Sequence, residues 1–152
     1  MAAGWLAGEH FSGQFDRQLA DFRSMRRVLH KLEAGFRTRQ DFTQMLQGLE
    51  TIEGWGHTLC DAGRRIEQGK IPDQAFWHQV FEGWAEEVRC QFAVYFTQLA
   101  VGDRTLREVQ LAEMQGYISE EMDRLQEEKS SSGKLYRSLG VLLGTAAAIM
   151  VL

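Results

Sequence analysis

His57 and Cys60, three residues apart, are the pair in this chain best spaced to share a cation from one helical face, and Cys90 is the other thiol that could join them. A zinc centre needs about four ligands. Three candidates, one of them thirty residues away, fall short of that, and cysteines of this kind ordinarily behave as small core hydrophobes. No metal ligand is therefore assigned. The acids Glu120, Glu121, Asp123, Glu127 and Glu128 form the one cluster rich in hard oxygen donors. Because Ile118, Met122 and Leu125 run through it at helical spacing, it reads as the solvated face of an amphipathic helix. No nucleophile with a neighbouring base, no phosphate-cradling glycine loop and no histidine pair at a metal-binding helical step is present. The sequence thus assigns no catalytic residue and no cofactor, and points to a non-enzymatic role.

The tryptophans Trp55, Trp77 and Trp84 are read as core or interface fillers rather than a ligand pocket. Trp5 is read differently, as a belt residue at a lipid surface, because it sits in the apolar stretch Met1 to Gly8.

The strongest physical signal is the uncharged run from Ser138 to Leu152. A helix closing a soluble core carries charge every third or fourth residue, and this one carries none. It reads as a membrane anchor, with Leu139, Gly140, Gly144 and Ala148 as its marker residues. Gly140, Gly144 and Ala148 place small side chains on one face, where another helix can approach closely. At 1.5 Å per residue these residues reach roughly 22 Å, so crossing a hydrocarbon core of about 30 Å requires submerging Leu135 and Tyr136 as well. Lys129, Lys134 and Arg137 lie just before the run, as cytoplasmic flanking cations do. A second concentration of positive charge lies between Arg17 and Arg39, where seven cations face only Asp21 and Glu33. Arg23, Arg26, Arg27 and Arg37 from this segment are the candidate partner-facing or lipid-facing residues.

A chain of 152 residues with 44% hydrophobic and 25% charged content suits one body plus an anchor. Its net charge of -4 argues against general nucleic-acid binding. Two separate cysteines fit a reducing compartment.

One proline and few alternating β-branched runs give an all-α expectation: a bundle of about five helices followed by a C-terminal transmembrane helix. Leu19, Phe22, Met25, Leu29, Leu32 and Phe36 predict a first helix over 16–36. Phe42, Met45, Leu46, Leu49 and Ile52 predict a second, broken by Gly54 and Gly56 around Trp55. Leu59, Ala62 and Ile66 predict a third, stopped at Gly69. From Pro72, the stripe Phe76, Val80, Trp84, Val88, Phe92, Tyr95 and Leu99 predicts one long core helix. Val101, Gly102 and Asp103 predict a tight turn, and Leu106, Leu111, Met114, Ile118, Met122 and Leu125 a last helix to about Glu128. The expected organisation is a remnant of a membrane span at 1–8, a cytoplasmic bundle at 9–129, a joint at 130–134 and a transmembrane segment at 135–152. The joint reads equally as a link, a bend or a continuous helix.

Two tracts resemble the stage III sporulation protein AB family. One is Val101, Gly102, Asp103, Arg104 with Gln110 after it, similar to that family's Leu-Gly-x-x-Asp-Arg tract and following Gln. The more specific is Lys134 through Gly144, similar to the start of its tail. Arg17, Gln18 and Leu19, then Leu29, Lys31, Leu32 and Glu33, fall like its Arg-Gln-Leu and Leu-x-x-Leu-Glu positions. The chain departs from that pattern in the shortened first span, in Val101 for a leucine, and in Asp103 directly following Gly102. The resemblance implies an integral membrane protein with a cytoplasmic helical domain, in the assembly that joins the mother cell to the forespore. It further implies a platform or scaffold subunit similar to those of type II secretion and type IV pilus machines, beside a secretion-type ATPase and other channel subunits. The expected location is the cell membrane with the bundle on the mother-cell cytoplasmic side, and a homo-oligomer stays open. The competing expectation is a soluble helical adaptor or chaperone whose apolar tail closes its own core or a dimer interface.

Overall fold

The three- and four-residue recurrence of Leu19, Phe22, Met25, Leu29, Leu32 and Phe36 does produce a helix with one buried face, and all six residues are buried. In the computed structural model, which describes the backbone of residues 2–151 and the side chains of 13–131 and 138–150, this helix is α1, Ala2–Arg37. Met1, Leu152, and the side chains of Trp5, the rest of 1–12, Lys134, Leu135, Tyr136 and Arg137 lie outside the described residues. Five more α-helices follow: α2 Phe42–Gln47, α3 Trp55–Glu67, α4 Gln74–Val80, α5 Glu86–Val101 and α6 Arg104–Val151, with a 3₁₀ turn over Gly48–Thr51 between α2 and α3. Among the described residues there is no strand, and the protein is all-α.

The chain divides into two units. One comprises 21–118, and the other comprises 1–20 with 119–152. In the larger unit, α2 packs on α3, α3 meets α4, and α4 packs on α5. The centre is aromatic: Trp77 and Phe96 rings lie 5.0 Å apart, Phe81 and Phe96 5.0 Å, Trp84 and Phe92 4.9 Å, and Phe22 and Trp84 4.8 Å. Trp77, Phe81, Phe92 and Phe96 are all fully buried. In the smaller unit Leu19, Met122 and Leu125 are buried, and Lys129 Nζ pairs with Asp16 Oδ1 at 2.5 Å.

The first helix begins at Ala2 rather than near Asp16 and the last runs to Val151 rather than to about Glu128; three further boundaries differ from expectation, each for a local reason. The long core helix from Pro72 to Leu99 is two helices, because residues 81–85 turn. On one continuous helix Phe81 and Phe92 would be about 16 Å apart along the axis. The turn instead brings their rings to 5.5 Å. The second helix stops at Gln47 and tightens into the 3₁₀ turn, so Ile52 is extended rather than helical. Gly54 breaks the chain as expected, but Trp55 and Gly56 begin α3 rather than ending anything. Pro72 stands just before the capping residue of α4. Asp73 is the cap, its Oδ1 accepting from Phe76 N at 2.8 Å, and Asp103 does the same for Leu106 N at the start of α6.

Gly69 ends α3 as expected, with φ +106°. Its N–H donates to Ile66 O and that of Lys70 to Arg65 O, the paired bonds of a left-handed helix stop. Residues 130–134 are helical and belong to α6, so of the three readings of the joint the continuous helix is the one observed.

Gly56 is held by close approach: a Cβ there would lie 2.5 Å from Leu49 O and 2.6 Å from Ile52 Cβ. At Gly116, in the exposed flank of α6, a Cβ would meet nothing within 4 Å. Gly56→Ala should therefore destabilise by about 2–3 kcal/mol. Gly116→Ala should stabilise by about 0.5–1 kcal/mol, the helix-interior penalty of glycine. Urea unfolding followed by helical circular dichroism checks both signs.

Candidate functional site

From Ser138 onward α6 loses its polar face. Val141, Leu142 and Leu143 are about equally exposed, at 70%, 67% and 69%, and Met150 is 90% exposed. Leu139, Gly140 and Ala148 are exposed and Gly144 half-buried. A Cβ at Gly140 or Gly144 would touch nothing, so the small-residue face is open. The hydroxyl of Thr145 donates to Val141 O at 2.8 Å and is satisfied inside the helix.

Two expectations are changed by this. Among the described residues no helix is long and apolar enough to cross a membrane, so the expected transmembrane helix at 135–152 is not found. The physical reason is length: the described uncharged side chains, 138–150, reach roughly 20 Å against a core of about 30 Å. Of the competing expectation, a tail closing its own core or a dimer interface, the first form is not seen, since these side chains are exposed within the single chain.

The cationic segment is built by α1. Arg23, Arg26, Arg27 and Arg37 fall within one helical face and all are exposed. They are not equivalent. Arg37 Nη2 is paired with Glu33 Oε1 at 2.9 Å, whereas Arg23, Arg26 and Arg27 have no acid within ion-pair distance among the described residues. Both acids of the segment are engaged. Glu33 Oε2 accepts from Gln115 Nε2 at 3.3 Å, and Asp21 is half-buried and accepts from the Trp55 side chain. Lys31 is anchored as well, donating to Gly48 O at 2.6 Å and Thr51 Oγ1 at 2.9 Å. Arg23, Arg26 and Arg27, like Arg17 and Arg39, have no side-chain ion pair or hydrogen bond among the described residues.

The thiols are separated. Cys60 is buried and donates to Gln47 O at 3.3 Å, while His57 is exposed. Cys90 lies on α5 and joins residues the sequence reading passed over. His78 Nε2 is 3.0 Å from Glu86 Oε1, and Cys90 Sγ is 3.5 Å from the same oxygen. The hydrogen bond with His78, then that with Cys90, holds the Glu86 carboxyl below its usual value, and the bond to Glu86 pushes the Cys90 thiol up. Glu86 and Cys90 at i and i+4 were a legible signal. The third member was not, because on an unbroken helix His78 and Glu86 stand eight residues apart, about 12 Å. In the acidic cluster, Glu121 and Glu128 both pair with Arg124, at 2.6 and 2.9 Å. The tract around Asp103 is the capped start of α6, and Gln110 is buried with its Oε1 lacking a partner among the described residues.

The family model of stage III sporulation protein AB matches residues 1–152, the whole chain. No curated protein and no solved structure matches.

Burial raises the Asp21 carboxyl above its ordinary value of 3.8, only partly offset by the Trp55 hydrogen bond. A raised acid binds its proton more tightly in the folded state, so its contribution favours folding at low pH and is lost as pH rises through the raised value. Asp21→Asn should therefore remove a fall in stability in the range just above pH 3.8, read as a flatter pH profile of the urea midpoint.

Proposed function

This chain belongs to the stage III sporulation protein AB family, and from that premise we propose that it is a non-enzymatic platform subunit of the channel assembly joining mother cell and forespore. Its sporulation role follows from the family; its place in the membrane and its partners are the proposal. The apolar end of α6, residues 138–151, inserts into the mother-cell membrane, and the helices of 21–118 stand on the cytoplasmic side and dock a secretion-type ATPase and other channel subunits.

The observation that carries this reading is the exposed, uncharged end of α6. A contiguous row of outward leucine, valine, isoleucine and methionine is costly in water, at about 25 cal/mol per Å² of apolar surface, and is stable where lipid covers it. Burial of the neighbouring Leu135 and Tyr136 would add to its depth. The excess of cations between Arg17 and Arg39 fits the cytoplasmic side of such an anchor. The unpaired charges of Arg23, Arg26 and Arg27 fit an acidic docking surface, since they offer charge-assisted hydrogen bonds not already spent inside the chain.

Fractionation of sporulating cells tests the anchor. The full chain is expected in the membrane pellet, and a chain lacking 138–152 in the supernatant; a full chain found in the supernatant overturns it. The docking face is tested by Arg23→Glu, Arg26→Glu and Arg27→Glu combined. These side chains make no ion pair or hydrogen bond among the described residues, so folding stability should change by less than about 1 kcal/mol. Co-purification of the ATPase should drop about tenfold or more, and unchanged recovery discards this surface.

A further inference from the structure

We propose that His78, Glu86 and Cys90 form a binding site for a divalent cation of the zinc class, with a water molecule as the fourth ligand. The site is independent of the platform reading and requires no catalysis.

Three chemically different donors converge from two helices. His78 comes from α4, Glu86 and Cys90 from α5, and their ligand atoms all lie within 4.8 Å of one another. In a tetrahedral zinc site, bond lengths of about 2.0–2.3 Å place neighbouring ligand atoms about 3.3–3.7 Å apart. The His78 to Glu86 and Cys90 to Glu86 separations, 3.0 and 3.5 Å, are within a few tenths of an ångström of that. Closing the remaining His78 to Cys90 edge needs only side-chain rotation, since Glu86 and Cys90 are exposed and His78 is half-buried.

The surroundings hold the ligands in place. Arg89 Nε donates to His78 O at 2.5 Å, fixing the end of α4 against α5. Its Nη1 lies 3.7 Å from Glu86 Oε2, so the guanidinium occupies the carboxylate oxygen that a metal would not use and leaves Oε1 directed at His78 and Cys90. Arg89 is thus a positioning residue for Glu86. Cys90 Sγ donates to Glu86 Oε1, and His78 Nε2, in the tautomer that carries a proton there, donates to the same oxygen, the position a cation would take between them. On binding, the Cys90 thiol releases its proton to solvent and its thiolate ligates the cation, while any proton on His78 Nε2 passes to solvent or, by tautomer exchange, is carried on Nδ1 instead, freeing the Nε2 lone pair for the cation. Thiolate and imidazole select zinc or cobalt over magnesium and calcium.

Cobalt titration of the full chain in detergent micelles tests the site. Expected are saturable binding of one cobalt per chain, intense visible bands of tetrahedral coordination and a thiolate charge-transfer band in the near ultraviolet, displaced by zinc and not by magnesium. Cys90→Ser should abolish the charge-transfer band, and His78→Gln and Glu86→Gln should each weaken binding on the order of tenfold or more. Cys60→Ser should leave the spectrum unchanged. Absence of saturable binding, or a charge-transfer band that survives Cys90→Ser or disappears with Cys60→Ser, overturns the proposal. Helical circular dichroism of each variant confirms that folding is intact.

Discussion

The reversal at residues 81–85 is the constraint on which the larger unit depends. Without it the apolar stripe from Phe76 to Leu99 would be a single rod with its aromatic rings spread along the axis. With it, Phe81 and Trp84 fold back onto α5, and Phe81 reaches both Phe92 and Phe96 at 5.5 and 5.0 Å. Burying each large aromatic or aliphatic side chain is worth about 1.5–3 kcal/mol, enough for four fully buried rings to offset the few residues of backbone the turn leaves outside regular hydrogen bonding. The turn satisfies its own groups locally, with Phe81 N donating to Trp77 O, Trp84 N to Phe81 O and Arg89 Nε to His78 O. The same reversal that makes the core also sets His78 beside Glu86 and Cys90, so packing and donor geometry have one cause.

Charge follows a comparable logic. Every cation whose side chain reaches a loop or an acid is used structurally. Lys31 ties α1 to the 3₁₀ turn, Arg37 pairs with Glu33, and Arg107 donates to Leu99 O while lying 5.0 Å over the Phe36 ring. Arg23, Arg26 and Arg27 differ because the acids that could neutralise them are directed elsewhere, Asp21 toward Trp55 and Glu33 toward Arg37 and Gln115. Exposed ion pairs contribute little to stability, so their absence costs the fold almost nothing while leaving these charges available.

Helix existence and type were legible in the sequence wherever a one-sided apolar period repeated. The six positions of α1 that the spacing selected are buried, with Ser24 and Val28 beside them, and the five buried hydrophobic residues from Leu111 to Leu125 are also ones it selected, whereas Leu106 is exposed; the stops at Gly69 and Gly102 fall where the turn residues stand. What was not legible depended on partners distant in sequence. Glu82, Gly83, Trp84 and Ala85 carry no proline, and only Gly83 hints that an apolar stripe should be interrupted; the break is favoured by ring contacts that periodicity does not encode. The separation of Arg37 from its neighbours, and the joining of Cys90 to His78 instead of Cys60, were hidden for the same reason. Periodicity reports which face is buried, and chemistry at a site needs to know which faces meet.

The two ends of α6 differ in a way that bears on what surrounds the second. Over 111–125 its apolar residues occupy one stripe, which a core on one side can cover. Val141, Leu142 and Leu143 are consecutive, so at 100° per residue they span about 200° of the helix circumference, and they are almost equally exposed. A single partner helix packs along one face and would leave part of that arc in water, even with Gly140, Gly144 and Ala148 allowing close approach. An environment that is apolar on every side removes the penalty at all three positions at once. On the membrane reading proposed above, helix association through the small-residue face would be an event within the lipid rather than a substitute for it.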